Sequence, residues 1–256
     1  MDTYGLIGYP LAHSFSAKFF SDKFKRENIN AEYLNFEIED ILEIRRVILF
    51  NQNLKGLNVT IPYKEKVIPF LHKLSPEAQN IGAVNTIKVN RTSGDMYFYE
   101  LIGHNTDYIG FKNSLLPLLK SETHNKALIL GTGGASKAVI QALNDINIGF
   151  LNVSRSRLNN EQKNVIEYSE LTKEIISSHT IIINTTPLGT FPNVNSSPDI
   201  PYSMLTAKHL LYDLVYNPEE TLFLSKGKEQ GASVKNGKEM LKLQALASWN
   251  IWMSTD

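Results

Sequence analysis

The segment that most constrains this chain is Lys126-Ala127-Leu128-Ile129-Leu130, which runs without a break into Gly131-Thr132-Gly133-Gly134-Ala135-Ser136 and then into apolar residues at helical spacing, Ala138, Val139, Ile140, Ala142 and Leu143. A buried strand, a glycine turn and a helix in that order form the opening unit of an α/β domain. Glycines let the backbone approach a pyrophosphate closely, and the N–H groups and positive dipole end of the following helix receive its charge. The residue types at Gly131, Thr132, Gly133, Gly134 and Ala135 therefore point to a dinucleotide, against the plainer reading of a tight structural turn.

The next strand, Gly149 to Val153, sharpens that expectation. Roughly 20 residues beyond the glycine turn an NAD site offers a carboxylate to the ribose hydroxyls, but here the chain has Ser154-Arg155-Ser156-Arg157. An arginine among hydroxyls suits the 2′-phosphate of NADP, with Arg155 the favoured contact and Arg157 a second. Thr180 to Asn184 reads as a further buried strand. It leads into Thr185-Thr186-Pro187-Leu188-Gly189, a polar loop at a strand's carboxyl end, where open α/β sheets bind ligands. The alternative there is an ordinary strand-ending turn.

The rest of the chain alternates apolar runs with amphipathic helical patterns, an α/β organisation with mostly parallel strands and no internal repeat. Tyr4 to Gly8 reads as the first strand, and Phe15, Phe19, Phe20 and Phe24 fall on one face of a helix as core residues. Leu54 to Ile61 and Val84 to Val89 read as strands. Gly94-Asp95 reads as a hairpin turn before Met96 to Leu101, Leu115 to Leu119 as a helix, and Leu210 to Val215 as a last strand with Tyr216 at its edge. Ser121 to Asn125 reads as a polar linker at which the chain changes lobe.

Composition narrows the chemistry. Lys plus Arg and Asp plus Glu both number 26 in 256 residues, so no net charge draws the chain to nucleic acid or an anionic membrane. Zero cysteines exclude a thioester intermediate, a disulfide redox centre and a thiolate metal site. His13, His72, His104, His124, His179 and His209 lack the spacing of a helical metal pair, so no metal is expected. Without an apolar run of spanning length or a signal-like N-terminus, the expectation is a cytoplasmic enzyme, a monomer or homodimer, acting on a small molecule.

Asn58-Val59-Thr60-Ile61-Pro62-Tyr63-Lys64 ends a strand in a hydroxyl and an ammonium. Such a turn suits a polyhydroxy ligand and a proton donor to a carbonyl oxygen; taken alone it also reads as a solvated start to the helical pattern of Val67, Ile68, Phe70 and Leu71. Gln244 lies on the helical face of Met240, Ala247 and Ile251, where a carboxamide requires a partner, either a ligand or another protein group.

Together these segments resemble the shikimate dehydrogenase family nearly from end to end. The resemblance runs through Gly8-Tyr9-Pro10-Leu11-Ala12-His13-Ser14-Phe15-Ser16, Asn58 to Lys64, Gly82-Ala83-Val84-Asn85-Thr86 and Gly103-His104-Asn105-Thr106-Asp107. It continues through the glycine turn, Asn184 to Gly189, Asp213 to Pro218 and Met240-Leu241-Lys242-Leu243-Gln244. It implies reversible NADPH-dependent reduction of 3-dehydroshikimate to shikimate, a step of aromatic amino-acid biosynthesis, in a cleft between two lobes: a catalytic domain of residues 1–111 plus 237–256, completed by a returning C-terminal helix, and a Rossmann-like NADP-binding domain of residues 112–236. Lys64 and Asp107 match the family's catalytic pair, and Ser14, Ser16, Thr60, Asn85, Tyr216 and Gln244 match positions that hold the substrate. Each has a plainer reading as well: Ser14 or Ser16 as a cap of the phenylalanine-rich helix, Asp107 as a cap of its own.

The chain departs from the family pattern at Phe15 and Ala17 within the serine-rich run, at Ser154 and Ser156 beside Arg155, at Asn159, at Thr190 and at Leu222. The neighbouring alternatives are a quinate/shikimate dehydrogenase with relaxed NAD or NADP use and a dinucleotide-binding regulatory module without catalysis. Glutamyl-tRNA reductase, which shares parts of the layout, requires a cysteine that this chain lacks.

Overall fold

The computed structural model describes residues 1–11, 15–91, 99–156 and 164–255. Ser14, Arg157, Asn159, and the expected turn at Gly94-Asp95 with Met96 to Phe98, lie outside them. The chain divides into two compact units, Met1–Thr106 with Gln244–Asp256, and Asp107–Leu243.

The first unit comprises β1 (Asp2–Gly8), α1 (Phe15–Arg26), β2 (Ala31–Glu37), α2 (Ile44–Phe50), β3 (Leu54–Val59), β4 (Lys73–Leu74), α3 (Pro76–Ile81), β5 (Thr86–Arg91) and β6 (Tyr99–His104). The second comprises α4 (Asp107–Leu115), β7 (Lys126–Leu130), α5 (Gly134–Asp145), β8 (Gly149–Ser154), β9 (Val165–Glu167), α6 (Lys173–Ser178), β10 (Ile181–Asn184), β11 (Leu210–Asp213), α7 (Leu222–Glu229) and β12 (Ser233–Lys235). Helix α8 (Lys238–Met253) then carries the chain back into the first unit.

In the first unit the sheet order is β2-β1-β3-β5-β6-β4. β1 pairs in parallel with β2 and β3, whereas β5 pairs antiparallel with both β3 and β6. β1 is buried from Thr3 to Gly8, as expected of a central strand covered on both faces. One face is covered by aromatics. Phe20 and Phe24 of α1 are buried with Tyr4, Tyr33 and Trp252, and the Phe20 and Tyr33 rings stack at 4.8 Å. Trp252 of α8 donates its indole N–H to the Ile87 carbonyl at 3.0 Å. It lies so close to β3 that a Cβ on Gly56 would collide with its ring.

The second unit is an all-parallel sheet in the order β12-β11-β10-β7-β8-β9. Its strands alternate between two cores. Ala127, Ile129, Ile181, Ile183 and Tyr212 pack with Phe111 of α4 and Val139 and Leu143 of α5, while Leu128, Leu130, Ile182 and Leu211 pack with Ile176 of α6 and Phe223 of α7. That alternation, with helices on both faces, is the doubly wound arrangement.

Some boundaries differ from the sequence expectation. The strand expected to reach Ile61 ends at Val59, because the Tyr63 amide turns back to the Thr60 carbonyl at 2.9 Å. The helix expected at Leu115–Leu119 is α4, from Asp107 to Leu115, followed by a single 3₁₀ turn at Leu116–Leu118; Pro117 has no N–H to continue a helix. Val67 to Leu71 forms only a 3₁₀ turn, Ile68–Phe70, around Pro69. α4 packs with the second core, and the compact units divide at Thr106/Asp107 and at Leu243/Gln244. Among the described residues no helix is long and apolar enough to cross a membrane.

Candidate active site

In the second unit a cavity of about 620 Å³ opens at the carboxyl ends of β7, β8 and β10. Gly131, Thr132 and Gly133 form one side, Ser154 and Arg155 another, and Thr185, Thr186, Pro187 and Leu188 a third. Glycine is required at position 131. Gly131 holds φ at +107°, and a Cβ on it would press on the Thr185 and Thr186 side chains at 2.9 and 3.0 Å. Gly133 precedes α5, and a Cβ there would project into open space. The N-terminus of the twelve-residue helix α5 therefore faces a space left free for a ligand, and its N–H groups favour negative charge there. Exposed Arg155 supplies a planar, permanently charged fork at the end of β8. These residues fit a phosphorylated dinucleotide.

The loop after β10 is held from beneath. Asn184 is fully buried; its Nδ2 donates to Asp213 Oδ1 at 2.9 Å, and its Oδ1 accepts from the Thr186 amide and hydroxyl at 3.0 and 2.6 Å. Asp213 also accepts from the Val215 amide at 3.0 Å and the Thr221 hydroxyl at 2.6 Å. Burial outweighs these donors and pushes its carboxyl up to about 6. At the other end of the loop, Gly189 adopts φ +87° and its amide donates to Ser196 Oγ at 2.9 Å. Sequence reasoning missed the supporting role of Asn184 and Asp213, which side-chain type alone does not announce.

In the first unit Lys64 is half-buried in the turn after β3. Its carbonyl accepts the Val84 amide at 2.7 Å, and the Thr60 amide donates to the Ile7 carbonyl at 2.9 Å. Between them Tyr63 is buried, with its hydroxyl on the Ile38 carbonyl at 2.7 Å. The turn is thus anchored by backbone on both sides, and a lysine stem with an anchored root can hold its ammonium in one place.

Beside this turn lies a buried polar network. Asn85, only 3% exposed, donates to Thr106 Oγ1 at 3.0 Å and accepts the Thr106 amide at 2.6 Å. Gln244 on α8, 7% exposed, accepts from Thr106 Oγ1 at 3.4 Å. Ser248, one turn further along α8, touches Thr86 Oγ1 at 2.7 Å, Thr106 Oγ1 at 3.1 Å and Asn58 Nδ2 at 3.0 Å. Tyr33 donates to Asn58 Oδ1 at 2.8 Å and is hydrogen-bonded to Ser16. Burial pushes the Tyr33 phenol above its ordinary range, so it stays a neutral donor.

The structure therefore brings Ser16, Asn85 and Gln244 into one connected set in the unit that carries Thr60 and Lys64. Their polar partners Asn58, Tyr33, Thr86, Thr106 and Ser248 went unread in the sequence, since each is an ordinary polar residue until the strands bring it inward. Asp107, half-buried, opens α4, and exposed Tyr216 follows β11, both in the second unit. In the dinucleotide-sized cavity, Tyr168, Ser197 and Asp199 also line the wall and carried no motif signal.

Known proteins match the chain over nearly its whole length. Residues 6–87 match the model of the shikimate dehydrogenase substrate binding domain. The chain is 39% identical over 259 residues to a shikimate dehydrogenase (NADP(+)) of Carboxydothermus hydrogenoformans, covering 97% of this chain and 90% of that protein. A chorismate mutase/shikimate 5-dehydrogenase fusion protein from Clostridium acetobutylicum superposes with a TM-score of 0.84 at 36% identity, over 99% of this chain and 91% of that one. A shikimate dehydrogenase solved in complex with NADP+ superposes with a TM-score of 0.83 at 30% identity, over 99% and 90% of the two chains. The sequence motifs, the all-parallel glycine-turn unit and these full-length matches converge: the chain belongs to the shikimate dehydrogenase family.

Proposed function

We propose that this chain is an NADP-dependent shikimate dehydrogenase, interconverting 3-dehydroshikimate and shikimate, with Lys64 and Asp107 as its acid–base residues. The observation that carries the reading is the pairing, in one chain, of a glycine-turn cavity bearing Arg155 with a separate unit that presents an anchored lysine beside a buried amide and hydroxyl network. When bound, NADPH supplies the hydride to the ketone carbon. Gly131 to Ala135 and the α5 N-terminus would hold its pyrophosphate, and Ser154, Arg155 and Ser156 would hold the 2′-phosphate. Thr185, Thr186, Pro187 and Gly189 face its nicotinamide half.

On the substrate side the chain's own residues set the proton path. Lys64 places an ammonium beside the ketone oxygen, stabilises the negative charge that develops there and donates the proton; in the oxidative direction its amine takes that proton back. Asp107 orients the lysine and hydrogen-bonds the reacting hydroxyl. Ser14, Ser16, Thr60, Asn85, Tyr216 and Gln244 bind the ring hydroxyls and carboxylate. Anchored polar groups of this kind are matched to a substrate rich in hydroxyls, because a ligand lacking them would leave the groups unpaired. We place the enzyme in the cytoplasm.

The test of the mechanism is Lys64→Ala. Loss of a general acid that acts on the substrate lowers kcat by about 10²–10⁴-fold and leaves the Kd for NADPH unchanged, because the lysine belongs to the substrate unit. Near-normal turnover would remove Lys64 from the reaction.

A further inference from the structure

Thr106 belongs to neither the lysine turn nor the cofactor cavity, yet it touches two of the residues assigned to the substrate. It is fully buried between the end of β6 and the start of α4. Its amide and hydroxyl enter a set of hydrogen bonds whose directions follow from the groups that have only one role: a backbone amide donates and a carbonyl accepts.

The Thr106 amide meets Asn85 Oδ1 at 2.6 Å. The oxygen of that carboxamide therefore faces the amide, and its nitrogen donates to Thr106 Oγ1 at 3.0 Å. On α8, Ser248 Oγ donates to the Gln244 main-chain carbonyl at 3.0 Å; with its proton committed there, it only accepts from its other neighbours. The nearest donors, Thr86 Oγ1 at 2.7 Å and Asn58 Nδ2 at 3.0 Å, take its two lone pairs. Thr106 Oγ1, which receives from Asn85, does not also donate to the same carboxamide, and Ser248 has no lone pair left for it. Its proton goes to Gln244 Oε1 at 3.4 Å. The Gln244 oxygen is thus turned toward Thr106 and its nitrogen the other way. Asn85 keeps a second N–H beyond the one given to Thr106.

We infer that Thr106 is a positioning residue that sets the polarity of the substrate site, tying the oxygen ends of the Asn85 and Gln244 carboxamides so that both offer N–H donors to substrate oxygens. This rests on the shikimate reading of the site and adds the direction of its hydrogen bonds. The group that meets Gln244 must accept, as a hydroxyl oxygen or a carboxylate does.

The test is steady-state turnover of shikimate by the whole protein, with NADPH binding and the denaturation midpoint measured beside it. Thr106→Val keeps the shape and the amide but lacks the hydroxyl, and Thr106→Ser keeps the hydroxyl. A neutral hydrogen bond corresponds to roughly twofold to tenfold in affinity. Thr106→Val should raise the KM for shikimate by that factor, Thr106→Ser should restore it to near wild type, and the Kd for NADPH should stay unchanged in both. In a Gln244→Ala background, where one of the two carboxamides is gone, Thr106→Val should raise KM less than it does alone. Polarity is read separately, with Thr106 intact, from Gln244→Glu beside Gln244→Ala. A carboxylate that takes the Thr106 proton turns a second acceptor toward the substrate, so Gln244→Glu should raise KM more than Gln244→Ala. The assignment is overturned by an unchanged KM in Thr106→Val, by Thr106→Ser as impaired as Thr106→Val, or by an equal effect with and without Gln244. It is also overturned if Gln244→Glu has a KM equal to or below that of Gln244→Ala, a comparison that decides even where Thr106→Val does not fold. Absence of shikimate turnover by wild type would instead overturn the shikimate reading itself and this inference with it.

Discussion

At the scale of single residues, the chemistry depends on where a charge is placed and what surrounds it. Arg155→Ala should erode the preference for NADPH over NADH by about 1.5–3 kcal/mol, the worth of a hydrogen bond to a charged group, measured as the ratio of kcat/KM for the two cofactors; an unchanged ratio would take the arginine off the phosphate. Asp213 gives a pH prediction. Its ordinary carboxyl value of 3.8 is raised to about 6 by burial, so between those values the folded state holds a proton that the unfolded state has released. The stability it contributes is thus fully present below the ordinary value and lost as pH rises through about 6, by at most about 3 kcal/mol. Asp213→Asn, in which the Thr221 hydroxyl can turn to accept, should lack that decline; parallel denaturation profiles of the two proteins from about pH 4 to pH 7 would refute the shift. The glycine turn and Arg155 stood out because each follows a strand in a local pattern, whereas the Lys64 turn read equally as solvated surface and was singled out only by the company of the other segments. Asp213, Asn184 and Asp199 were not, since burial and cavity position arise only once distant strands are laid side by side.

At the scale of elements, the strongly apolar strands were readable and the mixed ones were not. β7, β10 and β11 are mostly apolar runs buried on both faces, and the four phenylalanines announced α1. β2 and α2 escaped notice, as Ala31–Glu37 alternates too weakly and Ile44–Phe50 is too short to show a helical stripe. α4 was read too late in the chain because Gly110, Lys112 and Asn113 interrupt its apolar face, and packing on the second core decides its extent. The contact of α8 with β3 gives a sharp prediction here. Gly56→Ala drives a methyl group into the Trp252 ring and should cost about 1–3 kcal/mol, read as a lower denaturation midpoint. Trp252→Leu in the same background should recover part of the loss by making room, and no cost for Gly56→Ala would contradict the close packing. Removing the hydroxyl that joins β3, β5 and the segment after β6 to α8, as in Ser248→Ala, leaves Asn58, Thr86 and Thr106 with unmade hydrogen bonds and should cost about 1–3 kcal/mol.

At the scale of the whole molecule, the residues proposed for one reaction are distributed over the two units. The parallel unit, Asp107–Leu243, carries the glycine turn, the arginine and the loop braced by Asn184 and Asp213; the mixed unit, Met1–Thr106 with Gln244–Asp256, carries the lysine turn and the buried polar network. The α/β class and the two-unit plan were legible because the glycine turn declares a second βα beginning partway along a chain too long for one small domain. The point of division was not, since it depends on which core α4 packs against. The central claim, that this division serves shikimate and NADP, is tested most directly by the initial rate of shikimate oxidation with NADP+ and with NAD+ side by side, with quinate as the competing substrate, followed by the absorbance of the reduced cofactor. The account predicts turnover of shikimate with NADP+ that exceeds turnover with NAD+ and exceeds that of quinate. Firm NADP+ binding with no turnover of shikimate would contradict it.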